Sequence, residues 1–172
     1  MTRHLSAVRL LYLPIIGLCL LTTLLAANTA GAQATTDDEK AVSLVLDALH
    51  QAASDADGDR YFSLYAENAI FLGTDASERW TLEEFKAYAN PYFDQGRGWT
   101  YLMESRYIYL SSDKNTAWFD EILSNANFGT CRGSGVLIKI GDTWKVAQYH
   151  LTLPVPNSLI RQVAEMISQD TQ

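Results

Sequence analysis

Residues 130–156, TCRGSGVLIKIGDTWKVAQYHLTLPVP, constrain the fold more than any other stretch of the chain. Two runs rich in Val, Ile, Leu and aromatic residues flank Gly141-Asp142, a pattern that predicts a long β-hairpin. Such a hairpin is unstable alone and needs a second layer to bury its inner face. Arg132 opens the first run, and Tyr149 and His150 lie near the end of the second. Which residues share a face depends on the turn. A three-residue turn, Gly141 to Thr143, sets Ile140 against Trp144 and Ser134 against His150. It gathers Val136, Ile138, Trp144 and Val146 on one inner face and puts Arg132, Ser134 and His150 at a pocket mouth. A two-residue turn shifts the pairing by one and sends Arg132 and His150 to opposite faces. The first register is preferred because it collects the apolar residues.

The amino-terminal 32 residues read as an export signal rather than as part of a domain. Arg3, His4 and Arg9 form a positive start, and Leu10 to Leu25 is an apolar run interrupted by Pro14. Ala30-Gly31-Ala32 places small residues where a signal peptidase reads them, giving a mature start at Gln33. The run is short for a membrane span, and Leu18 is too large to precede a lipidated Cys19. The expected destination is periplasmic or secreted, with no membrane attachment after cleavage. The remaining 140 residues suit one domain, and residues 158–172 form a carboxy-terminal amphipathic helix and tail. The whole chain carries a formal charge of −7, and losing Arg3 and Arg9 with the leader takes it to −9. That balance excludes nucleic acid and anionic lipid as partners. Cys19 leaves with the leader, so Cys131 has no partner for an intrachain disulfide.

Thr36-Asp37-Asp38-Glu39 is a capping box. Ala41, Val42, Leu44, Val45, Ala48, Leu49 and Ala52 follow it at helical spacing, predicting a helix to about Ala53. A short second helix starts at Asp59 with Tyr61, Phe62 and Tyr65 on one face. Ala69 to Leu72 is a strand, and residues 73–80 are a polar loop. A second capping box, Thr81 to Glu84, starts a third helix, with Trp80 and Phe85 as its hydrophobic staple and an end before Pro91. Tyr101 to Leu110 and Thr116 to Asn125 alternate as a second hairpin. Helices first and antiparallel strands after define an α+β fold: a cone-shaped, curved antiparallel sheet over the amino-terminal helices, with a pocket at one end.

The Phe71-Leu72-Gly73-Thr74-Asp75 loop, Arg132-Gly133-Ser134-Gly135-Val136-Leu137, Trp144-Lys145-Val146 and the order of elements resemble the SnoaL-like branch of the nuclear transport factor 2-like superfamily, over about residues 38 to 157. The resemblance implies a conical barrel with a deep pocket and a homodimer through the outer sheet. It implies no metal or organic cofactor, because the characterised enzymes of the superfamily mostly need none. It does not choose an activity: the fold hosts isomerases, cyclases, dehydratases and hydrolases beside binding and assembly domains.

The residues themselves narrow the chemistry only partly. Asp55-Ala56-Asp57-Gly58-Asp59 fails as a calcium loop, since Arg60 stands where glycine is needed and Ala66 where the glutamate is needed. There is no zinc spacing, phosphate loop or nucleophile elbow. Asp120 and Glu121 are adjacent on a strand, so only one of them can enter the pocket; the plain alternative is that one acid pairs with Arg106 or Lys139 on the sheet surface. His50 reads as a surface residue and Cys131 as an inert thiol.

Two functions fit. In the first, a small apolar or amphiphilic molecule binds in the cone, with Arg132, Ser134, Tyr149, Trp80 and Tyr65 among the contacts. In the second, the domain is a cofactor-independent acid/base enzyme of the isomerase, cyclase, dehydratase or hydrolase type. Asp120, Glu121 or His150 is then the base, with Arg132 or Tyr149 stabilising an oxyanion. A carboxylate base in the cavity is expected to have a raised pKa. A purely structural domain would instead show an apolar outer sheet and no cavity.

Overall fold

A computed structural model describes residues 36–170. The proposed leader and cleavage site lie outside the described residues. Helix α1 (Asp37–Ser54) starts at the Thr36 capping box and buries Val42, Leu46, Leu49, Ala52 and Ala53. Helix α2 (Gly58–Ser63) is capped by Asp57, whose side chain accepts from the Arg60 amide. Strand β1 (Tyr65–Leu72) begins earlier than the hydrophobic pattern suggests and takes Tyr65 out of the helix. Tyr65 pairs with Val146 and its hydroxyl lies 2.9 Å from that of Tyr61.

The supposed polar loop contains a short edge strand, β2 (Arg79–Thr81), paired with β1. Helix α3 (Leu82–Phe93) has the expected capping box, and Trp80 stacks on Phe85 at 5.8 Å as the staple. It runs through Pro91 rather than stopping before it. Proline forfeits its own amide hydrogen bond, but one more turn buries Phe93 against Tyr61 and Trp99. Strands β3 (Leu102–Leu110), β4 (Thr116–Asn125), β5 (Gly129–Ile140) and β6 (Thr143–Thr152) complete a six-stranded sheet in the order β2-β1-β6-β5-β4-β3. Every pairing is antiparallel except that of β1 with β6. Helix α4 (Ile160–Asp170) buries none of its residues.

The long hairpin turns through two residues, not three: Ile140 pairs with Thr143, and Gly141 supplies the positive φ of 61°. The register then slips between Leu137, which pairs with Val146, and Val136, which pairs with Gln148. Ala147 is the extra residue of a β-bulge. Beyond it Ser134 does face His150, as the three-residue turn requires, but for a different reason. The bulge also reverses the phase of β6. Trp144 and Val146 point into the core before it, and Tyr149 does so after it.

On β5 the buried positions are Cys131, Gly133, Gly135 and Leu137, so Val136 and Ile138 belong to the outer face. On β4 they are Ala117, Phe119, Glu121 and Leu123. The concave face of the sheet therefore carries Glu121 and Tyr149 over α1 and α3. The convex face carries Tyr107, Tyr109 and Trp118, all exposed, beside the partly buried Ile122, Val136 and Ile138.

Candidate functional site

The concave face converges on one carboxylate. Glu121 is fully buried. Its Oε1 lies 2.8 Å from His50 Nε2 and accepts from the Tyr149 hydroxyl at 2.9 Å. Its Oε2 accepts from Arg106 Nε at 2.8 Å, while Nη2 lies 2.8 Å from the same oxygen, close enough for charge attraction but off the line of a hydrogen bond. Arg106 is buried too, and its Nη1 donates to the Ser43 carbonyl, the Ser43 hydroxyl and Asp47.

The local sequence explains the convergence. Ser43, Asp47 and His50 recur at helical spacing along one edge of the apolar stripe of α1, and Arg106 sits opposite Glu121 across β3 and β4. Gly133 is opposite Glu121 on the other side, and a Cβ there would come within 2.3 Å of the Tyr149 hydroxyl and 2.7 Å of Glu121 Oε1. Gly133 thus leaves the volume that the buried network occupies.

Burial alone would raise the Glu121 pKa, but the His50 hydrogen bond and the charges of His50 and Arg106 outweigh it and hold the group below the usual range. The expectation of a raised carboxylate is therefore corrected. An ionised Glu121 whose two oxygens are shared among His50, Tyr149 and Arg106 is a positioning group rather than a free base. Tyr149 moves the other way: burial and then the Glu121 charge push its phenol well up.

The hollow lies on the His50 side of this network. A funnel of about 370 Å³ opens between the β1–β2 loop, α3 and the β4–β5 turn, with Trp80, Tyr88, Trp99, Tyr101 and Phe128 among its walls. Phe71, Trp99, Tyr101 and Leu151 also bound a deeper space of about 20 Å³, which His50 and Tyr149 close. That space has room for about one water. Burial pushes the Tyr101 phenol up to about 12, so it enters this chemistry as a neutral hydroxyl.

The residues proposed from sequence divide cleanly. Glu121 and Tyr149 point inward, and Trp80 stands at the funnel wall. Tyr65 is core packing and lines neither space. Arg132, Ser134 and His150 share a face, but it is the convex one, away from the cavity; they do not form a pocket mouth. Asp120 is on that face as well, opposite Tyr107 and Ser134. His50 is not a surface residue: its side chain is only 13% exposed and completes the network. Arg106 does pair with the inward acid, but in the interior rather than on the sheet surface. The recoverable signal was the polar stripe on α1, whose Ser43, Asp47 and His50 flank the apolar one. Among the described residues no group of His, Cys, Asp and Glu could hold a metal ion.

A curved, mostly antiparallel sheet wrapped over helices, with an aromatic funnel at one end, is the nuclear transport factor 2-like or cystatin-like α+β fold. More narrowly, residues 42–156 match the SnoaL-like domain model, and the chain belongs to that family. Solved structures share the fold at low identity. A cystatin-like protein of unknown function from Nostoc punctiforme is 15% identical, with TM-score 0.58, over 69% of this chain and 93% of that one. An NTF2-like protein of unknown function from Pseudomonas putida is 13% identical, with TM-score 0.57, over 69% and 88%. A putative dehydratase of the NTF2-like family from Streptomyces avermitilis is 12% identical, with TM-score 0.58, over 68% and 96%. No curated protein matches the chain.

Proposed function

We propose that this domain binds a small apolar or amphiphilic molecule in the aromatic funnel, working as an exported homodimer. The observation that supports binding above catalysis is the division of the hollow. The roomy part is aromatic, and the space that His50 and Tyr149 line has room for about one water. The exposed aromatics of the convex sheet, Tyr107, Tyr109 and Trp118, are the surface for the second copy, since neighbouring exposed apolar side chains mark interaction sites. The apolar run ending at Ala30-Gly31-Ala32 supports export.

Native mass spectrometry of the full chain expressed in a secreting host tests these points together. The expected species is a dimer of protomers beginning at Gln33, carrying a retained small molecule that Trp80→Ala loses. A monomer would remove the dimer. Retention by Trp80→Ala equal to wild type would remove the funnel as its seat.

A second reading rests on His50. It touches the deeper space, and Glu121 holds one ring nitrogen while Nδ1 has no hydrogen-bond partner among the described residues. That is the arrangement of a histidine oriented by a carboxylate for proton transfer. It would act beside Tyr149, as the putative dehydratase among the structural neighbours makes worth testing. Here the retained molecule should change mass on prolonged incubation with wild type and not with His50→Gln. A molecule recovered unaltered from wild type would end this reading and leave the first intact.

A further inference from the structure

The funnel has charge of one sign. Among the described residues lining it, Glu78 is the charged one. The neighbouring Arg79 faces the other way: it pairs with Leu72 while Trp80 pairs with Phe71, and successive strand residues alternate sides. Glu78 is also held in place. Gly73 N donates to its carbonyl at 2.8 Å, and Asp75 N donates to Oε2 at 3.2 Å. Oε1 has no hydrogen-bond partner among the described residues. The fold-back exists because residue 73 is glycine: a Cβ there would sit 2.0 Å from Glu78 Oε2 and 2.8 Å from its Cβ. Around the carboxylate stand π faces, with Trp80 stacked on Tyr88 at 4.7 Å and Phe128 exposed across the opening. Glu78 is close enough to Tyr88 that its charge, after burial and Tyr92, helps raise that phenol.

We infer that the ligand is a flat apolar body bearing a protonated amine or quaternary ammonium, its cation beside Glu78 at the rim and its body on the aromatic walls. This rests on the funnel being a ligand site and adds the sign of the ligand's charge. Aromatic faces attract cations through their quadrupoles, and the attraction grows as water is excluded. A carboxylate with a free oxygen adds a directional acceptor for an ammonium donor. An anionic ligand meets repulsion from the same group, and from the acidic surface of the whole protein on approach.

Isothermal titration calorimetry of the mature protein with naphthylmethylamine, naphthylmethanol and naphthoate separates the claims. At neutral pH and low salt the amine should bind about tenfold more tightly than the alcohol, and naphthoate most weakly. Glu78→Gln should reduce the preference for the amine to the part the aromatic faces supply, and Gly73→Ala, which displaces the carboxylate, should do the same. Equal affinities for amine and alcohol in wild type would overturn the inference while keeping the binding site. A preference that Glu78→Gln leaves undiminished would overturn it as well. No binding by any of the three would overturn the funnel as a ligand site.

Discussion

Arg106→Met should destabilise the domain by about 3–5 kcal/mol near neutral pH, the range for stranding a buried charge. The methionine keeps the packing of the alkyl stem, so the loss measures the charge left behind. Glu121 is fully buried, and Arg106 provides the permanent positive charge beside it. Asp47 and Ser43 lose their guanidinium partner too, but Asp47 is half exposed and water replaces it. Adding Glu121→Gln to Arg106→Met should recover much of the lost stability, because it removes the stranded charge. Urea unfolding of the wild type, both single variants and the double variant completes the cycle, and strict additivity would refute the coupling.

The pH dependence has a definite sign. The folded-state pKa of Glu121 lies below its unfolded value. Its contribution to stability is therefore complete above the ordinary carboxylate range of about 4. It is lost as the pH falls through the lower, folded value. In Arg106→Met the acid-induced loss attributable to this group should shrink.

Gly135→Ala should be the second severe substitution, costing about 3 kcal/mol, the upper end of the usual penalty of overpacking. A Cβ at Gly135 would lie 2.1 Å from the Gln148 carbonyl oxygen and 3.0 Å from the Phe119 ring. The first obstacle is backbone, on the strand that carries the bulge, and cannot swing aside. Ser134→Ala, one residue away on the convex face, is the control and should lie within about 0.5 kcal/mol of wild type. Thermal unfolding of the pair checks this. A Gly135→Ala midpoint equal to that of Ser134→Ala would show that β5 and β6 separate at no cost.

The network that Gly133 accommodates was only half visible in the sequence. Alternation on β4 narrowed the acids to two incompatible sets and made Glu121 a candidate, because strand periodicity is a local property. It could not choose between the sets, since each was mostly apolar. Thr36 and Thr81 announced two helix starts, and Trp80 with Phe85 announced the staple, because capping and stapling involve residues a few positions apart. Tyr65 was misplaced because helical spacing from Tyr61 and a strand start compete at that position. Its pairing with Val146 on a distant strand settled the matter.

The amino-acid sequence alone therefore determined the element order apart from the edge strand β2, the α+β class, the family and the acidic character of the chain. The class, the order and the charge follow from local periodicity, capping chemistry and composition, whereas the family came from the resemblance of short motifs such as residues 71–75 and 132–137. Tertiary structure decided which side chains meet. The bulge at Ala147 reversed the phase of β6, sending Tyr149 inward and His150 outward, and the packing of α1 across β3 and β4 brought His50 and Arg106 to Glu121. A single extra residue in a strand exchanges its two faces beyond that point, and its location is set by pairing with another strand rather than by the residue itself.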